Sequence, residues 1–253
     1  MKLIKTIICQ LKPLYILTFF LITLGNAYAS PSQPNIIFIL LDDAGFGELQ
    51  WYPEQQDISS HPRDQSDVFS TPDIFKLAQE GVRFTNYHSP ASICSPARAG
   101  IITGRYPSEF AIRDFLNLGG LRGLPAGTPT IATILRDQGG YTTGHFGKWN
   151  LGNGSPEHLP VHFGFDESMI RFANGPFDSY QGSTFIEGDD LAGRKVIAPY
   201  EHSTTTLTNR AVQFMNSATA SGKPYFLNLW YRAPHVPLDP PALLRYEVGC
   251  SQK

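Results

Sequence analysis

The run Asn35-Ile36-Ile37-Phe38-Ile39-Leu40-Leu41 constrains the fold more than any other stretch of this chain. A strand with one wet face alternates apolar and polar residues. An unbroken, β-branched run of this length predicts a strand covered on both faces, as at the centre of a parallel sheet. It ends in Asp42-Asp43 and then Gly45-Phe46-Gly47, a loop. In open α/β sheets, ligands bind beyond the carboxyl ends of the strands. Two adjacent carboxylates there repel each other, and a hard cation with oxygen ligands would neutralise them. A solvated turn or a helix cap also accounts for them.

The same grammar recurs downstream. Trp51 to Ser70 is polar, with prolines and mixed charges, and reads as a surface excursion. Thr71-Pro72-Asp73 starts a helix with Ile74, Leu77 and Ala78 on its apolar face, ended by Gly81. Val82 to Tyr87 alternates and predicts a strand. Thr128-Pro129-Thr130 starts a second helix with Ile131, Ile134 and Leu135 inward, stopped at Gly139-Gly140. Tyr141 to His145 is the next strand. Residues 203–220 carry Leu207, Ala211, Phe214 and Met215 at helical spacing, and Tyr225 to Tyr231 is a strong apolar strand. Alternating strands and helices predict an α/β fold with a largely parallel central sheet flanked by helices.

Lys2, Lys5 and Lys12 precede the apolar run Leu14–Leu24 and the small-x-small site Ala27-Tyr28-Ala29. These are the three parts of a secretory signal peptide, so residues 1–29 are expected to be cleaved near Ala29 and the chain exported. The apolar core is shorter than the ~20 residues of a membrane span, so no stable membrane anchor is expected. Removing three lysines from 20 basic residues leaves 17 against 22 acidic, a net charge of −5. That balance argues against a nucleic-acid partner. Cys9 leaves with the leader. Cys94 and Cys250 could pair in an oxidising compartment, but Cys94 has a better explanation. Residues 30–253 can hold one large domain with a sizeable core.

An isolated cysteine is usually a small buried hydrophobe. Cys94 stands instead in Cys94-Ser95-Pro96-Ala97-Arg98, followed by Ala99-Gly100-Ile101-Ile102-Thr103-Gly104-Arg105. Pro96 suits a helix start, whose N-terminus favours anions. Arg98 adds a fixed positive charge suited to sulfate or phosphate oxygens. A catalytic thiol of low pKa fits the same residues.

The run resembles the C-x-P-x-R signature of the type I sulfatases, in which the cysteine is oxidised to formylglycine. Pro34 to Asp43 is similar to the family's opening strand, whose terminal Asp pair binds calcium; Glu48 stands where Asp often follows. Gly144-His145-Phe146-Gly147-Lys148-Trp149-Asn150-Leu151-Gly152 resembles the G-K-W-H-L-G segment. There Lys148 would contact sulfate, while Asn150 replaces a histidine beside the formylglycine. Asn donates hydrogen bonds but cannot shuttle protons near neutral pH. His145, last in its strand, reads as structural. Ala233-Pro234-His235-Val236-Pro237 looks like the loop whose histidine binds a sulfate or leaving-group oxygen. His61, His88, His158, His162 and His202 carry no functional signal.

The resemblance implies an alkaline-phosphatase/sulfatase-like fold and hydrolysis of a sulfate monoester. Cys94, Arg98, Lys148 and His235 would be catalytic; Lys148, Asn150 and His235 would bind substrate; Asp42, Asp43 and residue 94 would bind Ca2+. It also implies a sulfated small molecule or glycan as substrate and a formylglycine-generating enzyme as maturation partner. It spans residues 34 to 241 but only the first half of the family pattern. No Asp-Asn pair follows His235, and Arg245 to Lys253 departs from the pattern. Residues 30–253 are therefore expected to be a truncated N-terminal domain, incomplete at the C-terminus, and by itself poorly stable and inactive. A phosphonate or phosphate ester hydrolase of the same superfamily and an inactive secreted fragment that binds sulfated ligands are the rival readings.

Overall fold

The computed structural model describes residues 33–45, 71–116, 121–152, 154–172, 184–188, 195–196 and 201–235. The expected signal peptide, Glu48, the 51–70 excursion, His61 and the tail with Cys250 lie outside the described residues. Among the described residues, no helix is long and apolar enough to cross a membrane.

Among the described residues, six strands form one sheet in the order β1-β6-β2-β3-β4-β5. They are β1 (Ile36–Asp42), β2 (Thr142–Gly147), β3 (Glu167–Phe172), β4 (Thr184–Glu187), β5 (Lys195–Val196) and β6 (Tyr225–Pro234). The β1–β6, β6–β2 and β2–β3 pairs are parallel; β3–β4 and β4–β5 are antiparallel. The helices are α1 (Pro72–Glu80), α2 (Cys94–Thr103), α3 (Ile131–Gly139) and α4 (Ser203–Ala220). A mostly parallel sheet with an antiparallel margin and flanking helices matches the expected class.

The sheet separates two cores. On one face, Ala99 and Ile102 of α2 and Ala132 of α3 meet Trp149, Phe165, Phe226 and Trp230. On the other, Leu207, Ala211, Phe214 and Ala218 of α4 meet Phe146, Met169, Leu227 and Leu229. The alternation of a buried strand is visible in β6, where Phe226 and Trp230 point to one core and Leu227 and Leu229 to the other. Asn228, between them, donates from its amide to His145 Nδ1 at 2.9 Å.

Several expectations about the elements need correction, among them Leu77, which is 67% exposed rather than on a buried face. The Asn35–Leu41 run does not take the central place. β6 and β2 do, and β1 pairs only with β6 among the described residues. Ile37 and Ile39 on its outer face are 48% and 53% exposed. Val82 to Tyr87 forms no strand. No described strand lies alongside it, and Val82, Phe84 and Tyr87 are largely exposed. In α3, Ile131 and Ile134 face outward, and Ala132 and Leu135 pack inward. The roll is set by hydroxyls: Thr130 and Thr133 both donate to the carbonyl of Phe163, at 2.6 and 3.4 Å.

Gly147 ends β2 at φ +122, and a Cβ there would lie 1.9 Å from the Trp230 carbonyl oxygen. That oxygen accepts from the Lys148 amide at 2.8 Å, so the close approach is part of the sheet. Gly147→Ala should cost about 3 kcal/mol or more, through strain and a backbone clash. Gly222→Ala, at φ +70 with nothing within 4 Å of the added carbon, should cost only about 1 kcal/mol. Urea-unfolding midpoints of the two variants test the contrast; equal midpoints would refute it.

Candidate active site

The carboxyl ends of β1, β2 and β6 and the start of α2 converge. The β1–β6 register shifts between Leu40 and Asp42. Such irregularities re-aim side chains next to sites, and Asp42 ends up buried. Asp43 follows at φ +65, a conformation Asp tolerates better than most residues, and its side chain is exposed.

Cys94 is the first residue of α2 and is half-buried. Ile93 before it offers no capping oxygen, and Pro96 lacks an N–H that a first turn would leave without an intrahelical partner. Gly100 lets this helix pack closely, since a Cβ there would lie 2.6 Å from Pro90.

Asp42 organises the site. Its Oδ1 accepts from Arg98 at 2.7 Å and its Oδ2 from the Lys148 ammonium at 2.5 Å. Lys148 Nζ also reaches Cys94 Sγ at 3.2 Å, and Sγ lies 3.8 Å from Asp42 Oδ1. Burial alone would raise the Asp42 carboxyl, but the charges of Arg98 and Lys148 outweigh it and hold the group below its ordinary value. The carboxylate is therefore ionised, and two cations against it leave one surplus positive charge beneath Cys94.

Arg98 was expected to meet the anion directly. Its side chain is only 2% exposed. One terminal nitrogen serves Asp42, the other donates to the Lys148 carbonyl at 2.8 Å, and the guanidinium lies 5.0 Å from the Trp230 ring centroid. It thus supports Asp42 and Lys148 from behind.

His235 closes the opposite side. Its Nε2 is 3.5 Å from Asp43 Oδ2. One ligand-type atom each from Asp42, Cys94 and His235 lies within 4.8 Å of the others. Asn150, buried at φ +61, does not enter this cluster. Its amide donates to Ser95 Oγ at 2.9 Å, and the same oxygen accepts from the Leu116 amide at 3.0 Å. Asn150 therefore holds the residue after Cys94 in place.

Sequence reasoning overlooked Ser95 and Trp230. Ser95 occupies the free position of the C-x-P motif, where a pattern carries no signal. Trp230 could have been noticed as the aromatic near the end of the strongest strand. His145 is structural, as expected: it is fully buried among Trp149, Phe165 and Trp230. Burial, aided by Arg98, pushes its pKa well down, so the imidazole is neutral. His158, which carries no functional signal in the sequence, is buried, with its ring nitrogens 3.1 and 3.2 Å from the carbonyls of Leu124 and Leu121. His202 accepts from the Thr204 amide and caps α4, while His88 is exposed.

The family model for sulfatases matches residues 34–249. The chain is 39% identical to arylsulfatase A of Bos taurus over 164 residues, covering 64% of this chain and 29% of that protein. It is 32% identical to arylsulfatase G of Mus musculus over 237 residues, covering 82% of this chain and 42% of that one. The solved structure of Ps i-CgsB in complex with k-i-k-neocarrahexaose superposes with a TM-score of 0.67 at 28% identity, over 82% of this chain and 47% of that chain. The chain thus spans less than half the length of each of these relatives. With a family match over residues 34–249 and the same mostly parallel α/β architecture, this chain belongs to the sulfatase family.

Proposed function

We propose that the fold to which this chain contributes hydrolyses sulfate monoesters, with residue 94 as a formylglycine nucleophile and a calcium ion at Asp42 and Asp43. The observation that carries the reading is the Lys148 ammonium, 2.5 Å from the buried Asp42 carboxylate and 3.2 Å from Cys94 Sγ. An anchored cation beside the first atom of the candidate nucleophile is what a sulfuryl group requires, because negative charge builds on its oxygens during attack.

Converted and hydrated, residue 94 supplies one hydroxyl to attack sulfur and a second whose collapse to the aldehyde expels sulfate. The donor chemistry fits a hard cation in part: Asp42 brings a buried carboxylate and Asp43 an exposed one. These two, with the oxygen that replaces Sγ, would hold the ion, which would neutralise sulfate oxygens and favour the deprotonated nucleophile.

The chain's own residues account for the rest. Arg98 keeps Asp42 ionised and fixes the backbone of Lys148. Lys148 meets the sulfate oxygens. His235, beside Asp43, donates a proton to the leaving-group oxygen. Asn150 acts through Ser95, steadying the first turn of α2. The substrate is a sulfated glycan or small sulfate ester, and maturation uses a formylglycine-generating enzyme in an export pathway.

Co-expression with such an enzyme should convert Cys94, read as the mass of the tryptic peptide Phe84–Arg98 with an aldehyde in place of the thiol. Within a full-length chain that completes the sulfatase fold, the converted protein should release sulfate from an aryl sulfate, and Lys148→Ala should lower kcat by about 10²–10³. A thiol that stays intact, or a converted protein that neither binds nor cleaves a sulfate ester, would overturn the reading.

A second prediction concerns pH. The folded Asp42 carboxyl titrates below its unfolded counterpart, whose pKa is about 4. Its stabilisation is therefore complete above that value and lost as pH falls through the lower, native one. The stability gap between wild type and Asp42→Asn, read from urea midpoints, should narrow below about pH 4. A gap independent of pH would contradict it.

A further inference from the structure

We infer that, while residue 94 is still a cysteine, Asp42, Cys94 and His235 form a three-ligand site for a borderline divalent cation such as Zn2+, with Lys148 as its built-in competitor. The inference concerns the unconverted thiol and does not rest on the reaction proposed above.

Geometry supports it first. Tetrahedral Zn2+ with sulfur at about 2.3 Å and nitrogen or oxygen at about 2.0 Å sets its ligand atoms about 3.5 Å apart. Sγ and Asp42 Oδ1 are already 3.8 Å apart, and all three ligand-type atoms fall within 4.8 Å. Bringing ligand atoms from at most 4.8 Å to about 3.5 Å takes shifts of about 1 Å. The three residues come from the end of β1, the start of α2 and the turn after β6, so the sheet itself presets their spacing.

Ligand chemistry then selects the metal. A thiolate, an imidazole and one carboxylate match Zn2+ and its Co2+ analogue; Ca2+ takes six to eight oxygens. Loss of sulfur on conversion would remove that preference. One position would stay open for water, as three protein ligands leave it. Asp43, 3.5 Å from Nε2 of His235, supplies a carboxylate that can orient the ring.

Lys148 makes the site conditional. Its ammonium touches both Asp42 Oδ2 and Cys94 Sγ, and so occupies the place of a cation that would bridge them. Arg98 can stay on one lone pair of Oδ1 while the metal takes the other, and withdrawal of Lys148 from Oδ2 and Sγ removes the opposing charge. A metal that bridges Asp42 and residue 94 displaces the ammonium from between them and is opposed by its charge. A bound cation also covers Sγ and shields the thiol from modification.

The test uses the full 253-residue chain expressed without a converting enzyme, its thiol verified by peptide mass, and titrated with Co2+. Sulfur-to-cobalt charge-transfer absorption should appear and should be lost in Cys94→Ser, although Cys9 and Cys250 remain. His235→Ala should bind about 10-fold more weakly or worse, and Lys148→Met about 10-fold more tightly. Zn2+ should displace Co2+ and slow alkylation of Cys94 by iodoacetamide. Absence of the band in folded wild type, its persistence in Cys94→Ser, or binding by Lys148→Met no tighter than wild type would overturn the proposal. If a variant fails to fold by circular dichroism, alkylation of wild-type Cys94, followed by peptide mass, decides: a rate indifferent to Zn2+ refutes the site.

Discussion

A buried carboxylate between two cations holds the site together. Asp42 ends one strand, Arg98 lies one turn into a helix, and Lys148 follows another strand. Each would be costly to bury alone, and truncating one partner of such a group typically costs about 3–5 kcal/mol because a charge is left stranded. The arrangement therefore has to form together. It joins three segments whose members are separated by 50 to 106 residues in the chain. Cys94 is positioned as a consequence, since it begins the helix that Arg98 anchors.

Around this pairing the interior is largely aromatic. Trp230 stacks on Trp149, lies edge-on to His145 and carries Arg98 over its face. Its carbonyl binds the Lys148 amide, which brings Gly147 so near that no side chain fits. A neutral His145 suits this setting, since an imidazolium would add a third buried cation near Arg98. Charge and packing thus impose one arrangement: Arg98 is held by the aromatic floor, and Asp42 by Arg98.

Much of the fold was legible because burial leaves a periodic trace. The helix Ser203–Ala220 and the strand Tyr225–Pro234 matched their expected spans closely, since both bury long apolar faces. Two of the failures share a cause. Asn35–Leu41 is apolar on both faces, but β6 is its only described neighbour. Val82 to Tyr87 alternates like a strand yet lacks a described partner. Periodicity states that a residue can be buried; only a neighbouring element decides whether it is. The α3 register went wrong differently, because the hydroxyls of Thr130 and Thr133, invisible to a hydrophobic pattern, set the helix roll.

The chain's sequence alone determined the site's chemical inventory: an acid pair after a strand, a cysteine in C-S-P-A-R, a lysine after Gly147 and a histidine flanked by prolines. These are local patterns, and local patterns survive in one dimension. Which groups touch was decided by tertiary structure. Nothing in the motif indicates that Arg98 serves Asp42, that Lys148 bridges Asp42 and Cys94, or that Asn150 binds Ser95. Those pairings depend on the stacking of β1, β6 and β2, which brings their carboxyl ends over one helix start. Electrostatic energy depends on distance and burial, and both arise only when the sheet closes.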